Sequence, residues 1–278
     1  MYILTVTRFT PYALRPTLYA LRITPYALRS MIMEKKFKLN ISYDGSEYYG
    51  WQIQKHERTV QGELENALQK IYKEKIILYG SGRTDRGVHA FNQYAHFSVC
   101  TRMNEKNVIL ALNSLLPKSI YIKNCQIVDS NFHARFSAKK KKYVYKIRKQ
   151  YSPFWRNYAL FLSPSKSNLN SDLIKEASKY LVGEHNFWVF SKTNLYIKNY
   201  ICNIYNVEWQ ENEEFFHFSI VGNRFLYNMV RRIVGTLLKI SEKNLSEKYI
   251  EQIFEMQDKR MIGEKVAPNG LYLAEVYY

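Results

Sequence analysis

One order of hydrophobic periodicities runs through this chain twice, and few folds use such a pattern. In residues 36–43, Phe37, Leu39, Ile41 and Tyr43 alternate with Lys38, Asn40 and Ser42, the period of a half-buried strand. Val60, Leu64, Ala67, Leu68 and Ile71 then recur at helical spacing, with Thr59 placed to cap the helix. Strands are expected at 76–80 and 92–99, joined by a polar, Gly-containing loop at 81–90. A helix over 104–116 stops at Pro117, and a strand over 119–128 closes the first half.

The second half repeats the order. Residues 142–149 predict a strand. Leu173, Ile174, Ala177, Tyr180 and Leu181 predict a helix, with Gly183 just past its end. Strands over 200–209 and 215–221 follow, then a helix over 224–240, a helix over 247–256 capped by Ser246, and a strand over 271–277. Each half reads β-α-β-β-α-β, the ferredoxin-like order, with one added helix in the second. Two such units predict an α/β (α+β) fold, with helices on one face of an extended antiparallel sheet and the other face open to a ligand. The halves are expected to span 33–138 and 139–278.

Residues 1–32 fall outside this pattern. Residues 10–30 repeat with period seven, as TPYALRP, TLYALRI and TPYALRS. Pro11 and Pro25 break any helix there, so the heptad is no coiled coil. No apolar core with a small-residue cleavage site follows, so it is no secretory signal. This stretch is expected to lie outside the fold, with translation starting at Met31 or Met33.

The chain holds 41 Lys and Arg against 24 Asp and Glu, a net of +17, and the body alone keeps +13 once the four tail arginines are set aside. A solvated, Lys-rich surface is the plain explanation. The sharper one is a polyanionic partner, because each cation laid on a phosphate releases a condensed counterion. Charge favours nucleic acid. At 46% hydrophobic the chain can fill a core, yet no run nears the ~18 apolar residues of a membrane span. A soluble cytoplasmic enzyme suits these numbers. Cys100, Cys125 and Cys202 are scattered and odd in number, and the histidines lack ligand spacing, so no bound metal is expected.

The most unusual stretch runs from Gly80 to Ala90, GSGRTDRGVHA, between two strands. Its single carboxylate, Asp85, stands between Arg83 and Arg86. Positive neighbours are expected to lower its pKa and keep it anionic, as a nucleophile or base. A generic Asp so placed is more often an exposed ion pair. GxxxxGK[ST] is absent, so the loop is not a P-loop.

Residues 82–90, GRTDRGVHA, resemble the signature of the tRNA pseudouridine synthase A family. Tyr43-Asp44-Gly45 with Tyr48, Tyr49, Gly50, Trp51 and Gln52 resembles that family's opening motif. So do Phe132 to Ala138 its linking segment, Tyr143 and Tyr145 its paired tyrosines, and Asn228 to Gly235 and Gly270 to Leu273 its late motifs. The likeness runs in order from residue 36 to the end. Arg86 departs from the small residue of many relatives, and Asn228 from a histidine.

The resemblance implies a pseudouridine synthase fold with a central cleft. It implies isomerisation of uridine to pseudouridine at positions 38, 39 and 40 of the tRNA anticodon stem-loop, with no cofactor, by a homodimer. Asp85 would be the nucleophile, or the group that otherwise triggers glycosidic cleavage. The freed uracil would turn and rejoin through carbon 5. Tyr143 would lie against the base, Arg231 would pair with Asp85, and Arg83 would help flip the nucleotide. Arg86, His89, Lys139, Lys140, Lys141 and Lys142 are candidate RNA contacts, a solvated charge run being the alternative for the lysines. Trp51, Tyr48 and Tyr49 are candidates for base stacking, with two of the three expected to pack inside. The alternative functions are a non-catalytic RNA-binding module and a synthase acting on another RNA site.

Overall fold

The computed structural model describes residues 33–163, 169–192 and 199–278. The expected tail, 1–32, lies outside the described residues. The first half contains β1 (Glu34–Tyr43), α1 (Val60–Tyr72), β2 (Tyr79–Gly80), β3 (His89–Cys100), α2 (Glu105–Leu115) and β4 (Ile120–Val128). The second contains β5 (Lys140–Arg148), β6 (Leu160–Phe161), α3 (Ser171–Lys179), β7 (Gly183–Asn186), β8 (Ile201–Glu211), β9 (Phe215–Gly222), α4 (Met229–Glu242), α5 (Tyr249–Met256) and β10 (Leu271–Tyr277).

All ten strands join one sheet, in the order β4-β1-β3-β10-β5-β9-β8-β7, with β2 on β3 and β6 on β5. The ferredoxin-like order therefore appears twice, as β4-β1-β3-β2 and β10-β5-β9-β8. The two runs meet where β10 pairs in parallel with β3, through Tyr272 with His89 and Leu273 with Ala90. Further along β3, β2 takes the same edge, pairing Tyr79 with His96 and Gly80 with Ala95. Loop 81–88 leaves the sheet at this changeover, which puts it at the seam between the halves.

β2 itself corrects one expectation. The strand read over 76–80 is only two residues long. Leu78 bonds helix side chains instead: its N–H donates to Glu65 and its carbonyl accepts from Gln61. Three helix ends also differ. α3 stops at Lys179, and Gly183, at φ +109°, opens β7 instead of ending the helix. α4 starts at Met229, because Asn228 takes left-handed backbone at φ 64°. Ser246 accepts from Lys248 N–H but stands two residues ahead of Lys248, the cap residue of α5. Thr59 caps α1 as read, accepting from Gly62 N–H.

Helices cover one sheet face. Leu64 and Leu68 of α1, Val108 and Leu112 of α2, and Ile233, Val234 and Leu237 of α4 are fully buried together with Phe37, Leu39, Ile41, Tyr145 and Ile147 of the sheet. Each such aliphatic side chain contributes about 1.5–3 kcal/mol by leaving water. The period of two divides β5. Lys141, Tyr143, Tyr145 and Ile147 take the helix side, while Lys142, Val144 and Lys146 line a shallow depression on the open side.

Candidate active site

The opening segment, 44–51, grips loop 81–88 by its backbone. Trp51 N–H donates to Thr84 O (3.1 Å) and Gly87 N–H to Tyr48 O (3.3 Å). Tyr43 and Thr84 hydroxyls meet at 2.7 Å. Two glycines make the approach possible. A Cβ at Gly45 would lie 2.0 Å from the Val88 carbonyl oxygen, and one at Gly50, where φ is +90°, 2.6 Å from that of Thr84. Tyr48 and Trp51 are 1% exposed, so they pack inside. Tyr49 is half-buried and carries the Arg86 guanidinium 4.0 Å over its ring.

Arg231 reaches Asp85 from the first turn of α4. Its Nη1 lies 3.5 Å from Asp85 Oδ2. Its Nε donates to Val266 O (2.8 Å) and its Nη1 to Asn228 Oδ1 (3.3 Å). Val266 belongs to a loop pressed on α4. A Cβ at Gly235 would lie 1.8 Å from the Glu264 carbonyl oxygen, so only glycine lets the loop settle. Tyr145 ties the same loop down through its hydroxyl, which donates to Ala267 O at 2.7 Å. The motif from Asn228 to Gly235 thus sets a guanidinium facing the loop carboxylate.

Asp85, Arg86, Arg231, Tyr227, Lys265 and Asn269 are among the walls of a cavity of about 440 Å³, within the usual size of a small-molecule site. The charge balance there corrects the sequence expectation. The Asp85 carboxyl is held above its ordinary pKa, because burial outweighs the pull of Arg231 and Lys265. A partly desolvated carboxylate is the more basic for it. Tyr143 is 9% exposed and its ring meets Phe225 edge-on at 5.0 Å. Burial and the Asp85 charge push its phenol well above the ordinary range, so it rests neutral.

The remaining candidates separate. Arg86 is exposed on the cavity wall. Arg83 is exposed and is not among the wall residues. His89 does not face solvent as an RNA contact requires: it is 2% exposed. It accepts from Gly45 N–H at Nδ1 and meets Asn157 O at Nε2, with Asp44 Oδ1 3.2 Å away. Burial lowers its pKa, keeping the ring neutral. It is a latch between the halves, doubled by Tyr158 hydroxyl donating to Asp44 Oδ2 at 2.7 Å. The lysine run also divides. Lys139 and Lys140 are exposed and Lys142 is half-buried on the open face. Lys141 turns inward and donates to Ser81 O at 2.7 Å. Burial, with Arg135 and Arg224 near, pulls its pKa down to about 8. Sequence reasoning missed Lys265 and Tyr227. Lys265 has no motif of its own, only its place five residues before Gly270.

A carboxylate loop at the seam of a doubled ferredoxin-like sheet is thus faced by a helix arginine. Residues 40–137 and 177–278 match the family model described as tRNA pseudouridine synthase. A "tRNA pseudouridine synthase A" of a Geobacillus species is 40% identical over 249 residues, 88% of this chain and 99% of its own length. Proteins of the same name from Bacillus licheniformis and Bacillus subtilis are each 40% identical, over 87% of this chain and 99% of their own lengths. The chain belongs to the tRNA pseudouridine synthase family.

Proposed function

We propose that this chain converts uridine to pseudouridine in the tRNA anticodon stem-loop, at positions 38, 39 and 40, with Asp85 as the catalytic residue. The observation that carries the reading is Asp85 itself: a half-buried carboxylate on a cavity wall, 3.5 Å from Arg231, on the family's signature loop.

The chemistry follows from that placement. The target nucleotide leaves its stack, at a cost of about a few kcal/mol, to bring its C1′ to the carboxylate. Asp85 attacks there, or otherwise triggers cleavage, and the C1′–N1 bond breaks. The uracil turns within the walls and a C1′–C5 bond forms, and any bond made between Asp85 and C1′ breaks in that step to return the carboxylate. C5 then loses its proton and N1 holds one, so the isomerisation balances without oxidant, reductant or added group. An enclosed base recombines because it stays oriented beside C1′. Arg231 holds Asp85 in place and favours its charged form. Tyr143, neutral at rest, shields the base and passes protons. Arg83, outside the cavity, suits a role in drawing out the nucleotide. No cofactor is needed, and a cytoplasmic homodimer split into halves 33–138 and 139–278 completes the reading.

The test is to incubate purified protein with an unmodified tRNA transcript in buffer containing chelator, and then to map pseudouridine. Product at 38–40 is expected. Product only elsewhere would move the substrate site, and tight binding without product would favour the non-catalytic RNA-binding module.

A further inference from the structure

The mouth of the Asp85 cavity carries two cations that the isomerisation does not use. Arg86 enters from loop 81–88 of the first half, and Lys265 from the segment between α5 and β10 of the second. Both are exposed and both line the cavity. Among the described residues neither sits in an ion pair.

Each is nevertheless held. The Arg86 guanidinium lies 4.0 Å from the Tyr49 ring centre, a contact that fixes its plane and leaves its N–H edge free. Tyr49 is itself anchored, its N–H donating to Arg58 O (2.9 Å) and its carbonyl accepting from Gln54 Nε2 (2.8 Å). The backbone on either side of Lys265 is tied to α4. Gly263 N–H donates to Thr236 Oγ1 at 2.9 Å, and Val266 accepts from Arg231 Nε at 2.8 Å.

The chemistry of the ligand selects a role for them. Uracil and ribose are neutral, so the only anions a uridine in RNA brings to this mouth are its flanking phosphates. A carboxylate between two phosphates is repulsive, and a cation on each side offsets that repulsion. We propose that Arg86 and Lys265 form a clamp on the two phosphates that flank the flipped uridine. This rests on the pseudouridine reading above and adds Lys265, which no sequence motif marks, to the residues that position the substrate.

The test measures tRNA affinity by filter binding across a salt series, with steady-state turnover alongside. Arg86→Ala and Lys265→Ala should each flatten the slope of log affinity against log salt by about 0.7–0.9, and the double variant by about twice that. Each single variant should raise KM about tenfold while kcat falls less than threefold. Arg86→Lys and Lys265→Arg, which keep the charge, should restore most of the slope. Unchanged slopes in a parent protein that forms pseudouridine would overturn the clamp. So would losses confined to kcat with the acid limb of the pH profile displaced, since the cations would then act on Asp85. A parent that binds with the expected slopes and makes no pseudouridine would sink the functional reading, and with it the flipped uridine of the clamp, leaving Arg86 and Lys265 as phosphate contacts only.

Discussion

The two halves hold their shares of the site by different means. The first fixes Asp85 through backbone: its loop is hydrogen-bonded to the opening segment and pressed so close that only glycine fits at 45 and 50. The second fixes Arg231 through its own side chain, which bonds a loop that Gly235 admits to the helix. Backbone grip gives a position with little freedom, suited to a reacting atom. A side-chain tether gives a charge that can respond as the reaction moves charge. The contrast can be broken from either side.

The largest effect should come from the backbone side. Gly45→Ala forces a Cβ onto the Val88 carbonyl and should cost about 3 kcal/mol of stability. Turnover should fall at least in proportion, read by urea unfolding and pseudouridine assay together. A stable, active Gly45→Ala would show that the loop is not gripped as described.

On the tether side, Arg231→Met should spare the fold and lower kcat/KM about 100-fold. In the proposed mechanism Asp85 acts ionised, so activity should rise with pH through its raised pKa. Removing the neighbouring cation raises that pKa further, and the acid limb should move to higher pH. A fall in rate with no movement of the limb would make Arg231 a substrate contact instead.

The latch between halves should matter less. His89→Gln removes the contacts with Gly45 and Asn157 and should cost about 1–2 kcal/mol. The salt slope of tRNA binding should not change, whereas a flatter slope would restore His89 as an RNA contact.

Much of this was legible in sequence. The doubled β-α-β-β-α-β order was carried by periodicity, and Asp85 and Arg231 by motif. What stayed hidden depends on contacts between distant segments. β2 is cut short where the Leu78 backbone bonds Glu65 and Gln61 of α1, which no local pattern records. β7, GEHN, has no alternation to read. Arg83 and Arg86 suggested a lowered Asp85 pKa, yet both are exposed and the desolvation of Asp85 raises it. The KKKK run looks uniform in sequence, but strand period turns Lys141 inward alone.

Lys141 gives an effect confined to alkaline pH. Its folded pKa, about 8, is depressed from 10.5. A depressed value means stability present above the unfolded pKa and lost as pH falls through the folded one. The parent should therefore gain stability relative to Lys141→Met between pH 8 and 10.5, by at most about 1.4 kcal/mol per pH unit. A parent-minus-variant difference that is flat over that window would place the Lys141 ammonium in solvent.

The central claim is that Asp85 does the chemistry, and Asp85→Asn tests it most directly. Asn keeps the size and loses the charge and the attacking oxygen. The measurement is tritium release from uracil carbon 5 in labelled tRNA, with filter binding and thermal melting of the same preparation. Release should vanish, binding should persist or tighten slightly, and melting should not fall, because the raised pKa means that ionised Asp85 costs the fold stability at neutral pH. Turnover above a few per cent of the parent rate, from protein that binds and melts normally, would contradict the account.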